Sequence, residues 1–124
     1  MIKLGEAPYL ECSSKGDKRF SAFYARVKFY GNKSIEELYQ ASKLFEDGSY
    51  NLSWKEAKGK KAVNQEWCNL YYSHLWDYYI WENPHLIAIL KEASGLSDMF
   101  GQKGHCCQAV ELWRIKTTIE LLNI

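Results

Sequence analysis

The chain has 124 residues, with 16 Lys and Arg against 15 Asp and Glu, a formal net charge of +1. That balance excludes the strongly basic field of a general nucleic-acid binder, while leaving room for a local basic patch. Hydrophobic residues make up 47% of the chain, which suffices for one core, and the length suits a single domain over 1–124.

Five Trp, nine Tyr and five Phe are many for this length. Aromatic side chains bury large areas, and some usually line ligand pockets. No apolar run approaches the ~18 residues of a membrane span, and Met1-Ile-Lys-Leu-Gly5 lacks a secretory signal. A cytoplasmic protein without a membrane partner is therefore expected. The cysteines are Cys12, Cys68, Cys106 and Cys107, with no C-x-x-C pair. Reduced, mostly buried thiols fit this pattern, and the crowding of His105, Cys106 and Cys107 argues against a zinc site. No metal or redox cofactor is expected.

Residues 9–12 read as a short strand, and Ser13-Ser-Lys-Gly-Asp-Lys-Arg19 as a loop turning at Gly16-Asp17. Residues 25–30 read as a second strand, ending at Gly31-Asn32. Ser34, with Glu37 three residues on, is an N-cap signature. It predicts a helix to about Glu46, stopped at Asp47-Gly48. Its apolar stripe is Leu38, Ala41 and Phe45, with Glu36, Gln40 and Lys43 on the opposite side. Ser53 caps a short helix over 54–58, and Lys58-Gly-Lys-Lys61 is a basic loop.

The pattern over 62–81 is strongly helical. Val63, Trp67, Leu70, Tyr71, His74, Leu75, Tyr78 and Trp81 share one apolar face, on which His74 is expected to be a hydrogen-bonded core histidine rather than a base. Asn83-Pro84 ends this helix and starts another, with Leu86, Ile89, Leu90 and Ala93 inward and Gly95 as its stop. A last helix over 105–114 buries Cys106, Ala109, Val110 and Trp113. Residues 117–122 fit strand or helix equally. The sum is an α+β domain, mostly helical, with a small antiparallel sheet.

Three constellations carry possible chemistry. Glu36, Gln40 and Lys43 lie at i, i+4 and i+7, where a glutamate can polarise a hydroxyl or water and a lysine can hold phosphate. An ordinary solvated helix face has the same pattern. In Gly16-Asp-Lys-Arg-Phe-Ser-Ala-Phe23, Arg19 offers a planar fork to phosphate, and Phe20 or Phe23 a ring to a base. A charged turn followed by core aromatics reads identically. In Asp98-Met-Phe-Gly-Gln-Lys-Gly-His105, glycines let backbone approach a ligand, Asp98 suits a ribose hydroxyl, and Lys103 with nearby N–H groups suits a phosphate. This is neither a Walker loop nor a dinucleotide fingerprint.

Taken in order, these blocks resemble the NADAR superfamily, named for a proposed link to NAD and ADP-ribose. Phe20-Ser-Ala-Phe23 is similar to the family's Phe-Ser-Asn-Phe, and Glu36-Glu-Leu-Tyr-Gln-Ala-Ser-Lys43 to its Glu-His-Tyr-Phe-Gln-Ala-x-Lys. Glu82-Asn-Pro-His-Leu86 through Ala93-Ser-Gly95 resembles Asn-Pro-x-Leu and Ala-Thr-Gly, and Asp98-Met-Phe-Gly101 resembles Asp-x-x-Trp-Gly. Gly104 and Glu111-Leu-Trp-Arg114 are similar to the glycine-rich turn and the helix that closes on an arginine. Phe100 stands where the family has Trp, and His105-Cys-Cys-Gln108 stands near its Asn-x-Leu-Gly.

The resemblance implies a NADAR-like fold and N-glycosidase activity. The implied substrate is nucleotide-like or ADP-ribose-linked, such as ADP-ribosylated guanine (free or in nucleic acid) or a ribosylamine phosphate. It implies Glu36 as the catalytic carboxylate, with Lys43 and Asp98 beside it. The implied ligand-binding set is Arg19, Phe20, Ser21, Phe23, Gln40, Phe100, Gly101, Lys103, Gly104, His105 and Arg114. Two other classes remain open: a nucleotide-binding protein without catalysis, such as a phage or mobile element encodes to sequester a nucleotide signal, and an interaction or structural protein.

Overall fold

The computed structural model describes residues 1–123. Five strands and five α-helices follow in the order β1 (Ile2–Gly5), β2 (Tyr9–Glu11), β3 (Arg26–Val27), β4 (Lys33–Ser34), α1 (Ile35–Ala41), α2 (Trp54–Ala57), α3 (Gln65–Glu82), α4 (His85–Glu92), β5 (Gly95–Asp98) and α5 (Gln108–Leu121). The α+β class is as expected.

The larger sheet has the order β1-β5-β2. β5 runs antiparallel to β1, with Ile2 opposite Asp98, and parallel to β2, with Tyr9 opposite Gly95. The sheet is therefore mixed, not purely antiparallel. Most of the chain lies between β2 and β5, long enough for the crossover that a parallel pair requires. A separate antiparallel pair joins β3 to β4.

Sequence periodicity missed β1 and β5. β5 is buried at all four positions and paired on both edges, so no alternation marks it. Gly95 is needed there, because a Cβ would come within 2.4 Å of the Glu6 carbonyl oxygen.

Helix caps were legible and helix ends less so. Ser34 Oγ accepts the Glu37 N–H at 3.1 Å, and Ser53 Oγ accepts that of Glu56 at 3.3 Å. α1 stops at Ala41 rather than near Glu46, because residues 44–50 close a turn of their own through a Leu44–Tyr50 bridge. Residues 28–30 form a 3₁₀ turn instead of continuing β3. The Glu82 carboxylate holds that turn by accepting the N–H groups of Lys28 and Phe29. α5 starts at Gln108 and runs through Leu121, so residues 117–121 are helical. Its inward side chains are Ala109, Leu112, Ile115 and Ile119; Val110 is exposed and Trp113 half-buried, contrary to expectation.

Two helices turn the opposite way from the one expected. On α1 the inward residues are Ile35, Tyr39 and Gln40, followed by Lys43, while Leu38 and Ala41 line an open groove. On α3 the core face is Cys68, Tyr72, Leu75, Trp76, Tyr79 and Ile80. Trp67, Leu70, His74 and Trp81 face solvent, so His74 is not a core histidine. Both sides of α3 are apolar, and spacing alone fits either orientation.

Candidate functional site

Five separated parts of the chain are linked here by a chain of buried hydrogen bonds. Asp98, at the end of β5, accepts the Gln108 side-chain amide at 2.6 Å. The oxygen of the same amide accepts the Ala22 N–H at 2.9 Å. The Ala22 carbonyl in turn accepts the Glu36 N–H at 3.0 Å, at the first turn of α1. Asp98 also accepts the Phe100 N–H at 3.0 Å and starts the turn toward Gly101. The segment around Ser21, the start of α1, β5, the 99–107 loop and the start of α5 therefore share one strut.

α1 presents its polar stripe to this region. Gln40 donates to the Glu36 carboxylate at 2.8 Å, and Glu36 is half-buried. Lys43 is 5% exposed. Its amine donates to the carbonyls of Lys60 at 3.1 Å and Ala57 at 3.4 Å. Burial lowers the Lys43 amine below the ordinary lysine value, and the nearby Glu36 charge partly opposes this. Two buried polar atoms beside the strut, Gln40 Oε1 and Ser21 Oγ, have no hydrogen-bond partner.

The rest of the region is aromatic and thiol. The Tyr39 hydroxyl accepts from Gln65 at 2.8 Å and also reaches Cys106, which bonds Asn69 at 3.2 Å. Burial pushes the Cys106 thiol up, against smaller opposing effects of Tyr39 and Lys43. Burial pushes Cys107, beside Asp98, to about 11. Both thiols thus stay protonated at neutral pH, which suits neither a nucleophile nor a metal ligand. Among the described residues, no three His, Cys, Asp or Glu side chains gather to hold a metal ion.

Several expected ligand groups are engaged elsewhere. The Arg19 fork is occupied by Asp17, at 3.0 and 2.7 Å. That bond, more than the opposing effect of slight burial, holds the Asp17 carboxyl below its usual range. Phe20 is fully buried in the core, so its ring cannot stack on a base. Asp98 is also buried, its carboxylate satisfied by Gln108, Phe100 and the Cys107 thiol. Arg114 lies on the outer side of α5, where it pairs with Asp77 at 2.8 Å and Glu111 at 3.1 Å and ties α5 to α3.

In the glycine turn, the N–H groups of Phe100, Gly101 and His105 are bonded within the turn, leaving fewer donors for an anion than the sequence suggests. Gly101 is buried for packing: a Cβ there would meet Ile2 at 2.6 Å. Phe100, Lys103, Gly104 and His105 are exposed around it.

Phe23 is different. Its ring meets Trp54 edge-on at 5.7 Å. The Lys58 amine sits 5.4 Å from the Phe23 ring centre and 5.7 Å from that of Trp54. A cation held over two rings, one residue along from the Ala22 strut, can meet both a base and a phosphate. In the sequence, Trp54 belongs to a short helix, and Lys58 to a basic loop that is most simply solvated or else extends a phosphate-binding rim. The signal available in the sequence was Trp54 with Lys55 and Lys58 directly after the Ser53 cap.

Glu11 was also missed. Its carboxylate accepts the Ser13 N–H at 3.0 Å, the Met99 N–H at 3.1 Å and the Ser97 hydroxyl at 2.8 Å. It clamps β2 to the end of β5, where the Asp98 turn begins.

Separately, a groove of about 680 Å³ runs along the other side of α1, between Leu38, Ala41, Trp54, Trp67 and Tyr71. No family model matches this chain, and no curated protein matches it.

Proposed function

We propose that this protein hydrolyses an N-glycosidic bond in a nucleotide-like or ADP-ribose-linked substrate, with Glu36 acting on the sugar. The observation that supports this reading is the inward polar stripe of α1, with Gln40 Oε1 and Ser21 Oγ buried beside it and unpartnered. An unsatisfied buried polar atom costs about 1–3 kcal/mol, which a ligand hydroxyl or amide would relieve.

Cleavage of an N-glycoside passes through an oxocarbenium-like sugar. The C–N bond breaks with its electron pair going to the base nitrogen. Water adds its oxygen to the sugar carbon, and a proton passes to the base. The Glu36 carboxylate, oriented by Gln40, stabilises the positive sugar or takes the proton from water. Lys43 is assigned to positioning, because its amine is bonded to two main-chain carbonyls. Phe23, Trp54 and Lys58 take the base and phosphate, in place of Phe20 and Arg19.

Binding without turnover is a second reading. It is favoured by the internal bonds that engage Lys43 and Asp98.

The test is to incubate the purified protein with ADP-ribosylated guanosine and, separately, with a ribosylamine phosphate, and to chromatograph the released base or amine. Release by the wild type and none by Glu36→Gln supports hydrolysis. Protection against heat by ADP-ribose without any product supports binding alone. Neither product nor protection would refute both.

A further inference from the structure

We propose that the outward stripe of α3 is the interface of a two-fold homodimer. This surface lies mainly on α3, shares only Trp54 with the α1 site through the groove, and does not depend on the chemistry of that site. Phe29, Trp67, Leu70 and Trp81 are 66%, 55%, 72% and 78% exposed. At ~150–250 Å² for a large side chain, these four alone present on the order of 500 Å² of apolar surface. The edges of Tyr71, His74 and Tyr78 extend it toward the ~800 Å² that each partner of a stable complex covers. Single exposed apolar residues are ordinary, whereas a continuous patch of this size marks an interaction surface.

The rings are already ordered. Trp67 stacks on Tyr71 at 5.1 Å, Phe29 stacks on Tyr78 at 5.2 Å, and His74 meets Tyr78 at 4.5 Å. Tyr30 fixes His74 through a 3.0 Å hydrogen bond. Association therefore orders few further side chains, which keeps its entropic cost low.

Charge lies at the edges of the stripe: Asp77 is engaged by Arg114, Glu82 by the N–H groups of Lys28 and Phe29, and Glu66 stands at the start of the helix. An aromatic centre with charge confined to the rim is the composition of a protein interface.

The spacing selects a second copy. Trp67 and Trp81 lie seven residues either side of His74, about 10 Å each way along the helix. An antiparallel two-fold centred on His74 therefore lays Trp81 of one copy over Trp67 of the other. Trp67 lines the 680 Å³ groove, so a tryptophan of each copy meets the edge of the other's groove, and tryptophan is a residue type enriched at interface centres.

Sedimentation equilibrium at about 50 μM, well above a Kd of about 1 μM, tests this directly. The wild type should have about twice the 14.5 kDa chain mass. Leu70→Glu and Trp81→Glu should each give the single-chain mass with an unchanged circular dichroism spectrum, since both side chains are exposed. A wild type that sediments as one chain would overturn the proposal. So would a dimer that survives both substitutions.

Discussion

Gln108 and Asp98 meet at 2.6 Å, and the same Gln108 amide accepts the Ala22 N–H. One buried side chain thereby fastens the end of the central strand to the segment that leads into α1. Replacing Gln108 with Leu strands a buried carboxylate and a buried N–H. The expected loss is about 2–4 kcal/mol, read as a fall in the denaturant midpoint with an unchanged slope. Gln108→Glu sets two carboxyls against each other. It should be least stable at neutral pH and recover as the pH falls and one carboxyl takes a proton.

Lys43 anchors the basic loop by donating to the carbonyls of Ala57 and Lys60. Lys43→Met keeps much of the side-chain volume and removes those bonds. Limited digestion with trypsin should then cut faster after Lys58, Lys60 and Lys61, identified by mass spectrometry of the fragments. A cutting rate equal to that of the wild type would show that the loop is held by other contacts.

Phe20 and Phe23 should separate cleanly. Phe20 is wholly buried, and Phe20→Ala leaves a core cavity costing about 3–5 kcal/mol. Phe23 is partly exposed over Trp54. Phe23→Ala should cost about 1 kcal/mol or less, yet weaken ADP-ribose binding in calorimetry. A binding constant unaffected by Phe23→Ala would remove that ring from the site.

This contrast also shows what could be read from the sequence. The caps at Ser34 and Ser53 and the break at Asn83-Pro84 were legible, because a short polar side chain before a helix has one local use. The α+β class followed from the same punctuation. The facing of α1 was not legible, since Glu36, Gln40 and Lys43 look like a solvated stripe until tertiary bonds to Ala57 and Lys60 make burial tolerable. α3 misled for a different reason: both of its sides are apolar, so spacing fits either orientation. β5 pairs with strands some ninety residues away, which local pattern cannot reveal. Within the candidate site, Glu36 and Gln40 share one stripe of α1, as their spacing implies, and Gln40 bonds Glu36. Arg19 and Arg114 were taken by Asp17 and Asp77, acids whose proximity depends on local turn geometry in one case and helix packing in the other.

Acid should loosen the β2–β5 clamp. Burial alone would raise the Glu11 carboxyl, but hydrogen bonds from Ser13, Met99 and Ser97 outweigh it and hold the group below its ordinary value. A carboxyl depressed in the folded state contributes stability that is present above the unfolded pKa and is lost as pH falls through the folded one. The stability gap between wild type and Glu11→Gln should therefore stay level from neutral pH down to about 5, then shrink below the ordinary carboxylate value of about 4.3. Chemical denaturation across that range measures it. A gap independent of pH would mean that the charge of Glu11 contributes nothing to the clamp.

The most direct measurement is a crystal structure with ADP-ribose bound. The sugar is expected against the Glu36 carboxylate, with Gln40 Oε1 and Ser21 Oγ gaining partners and the phosphates beside Lys58. ADP-ribose seated instead in the groove beyond Leu38 and Ala41, with those two oxygens still unpartnered, would contradict the assignment of the site.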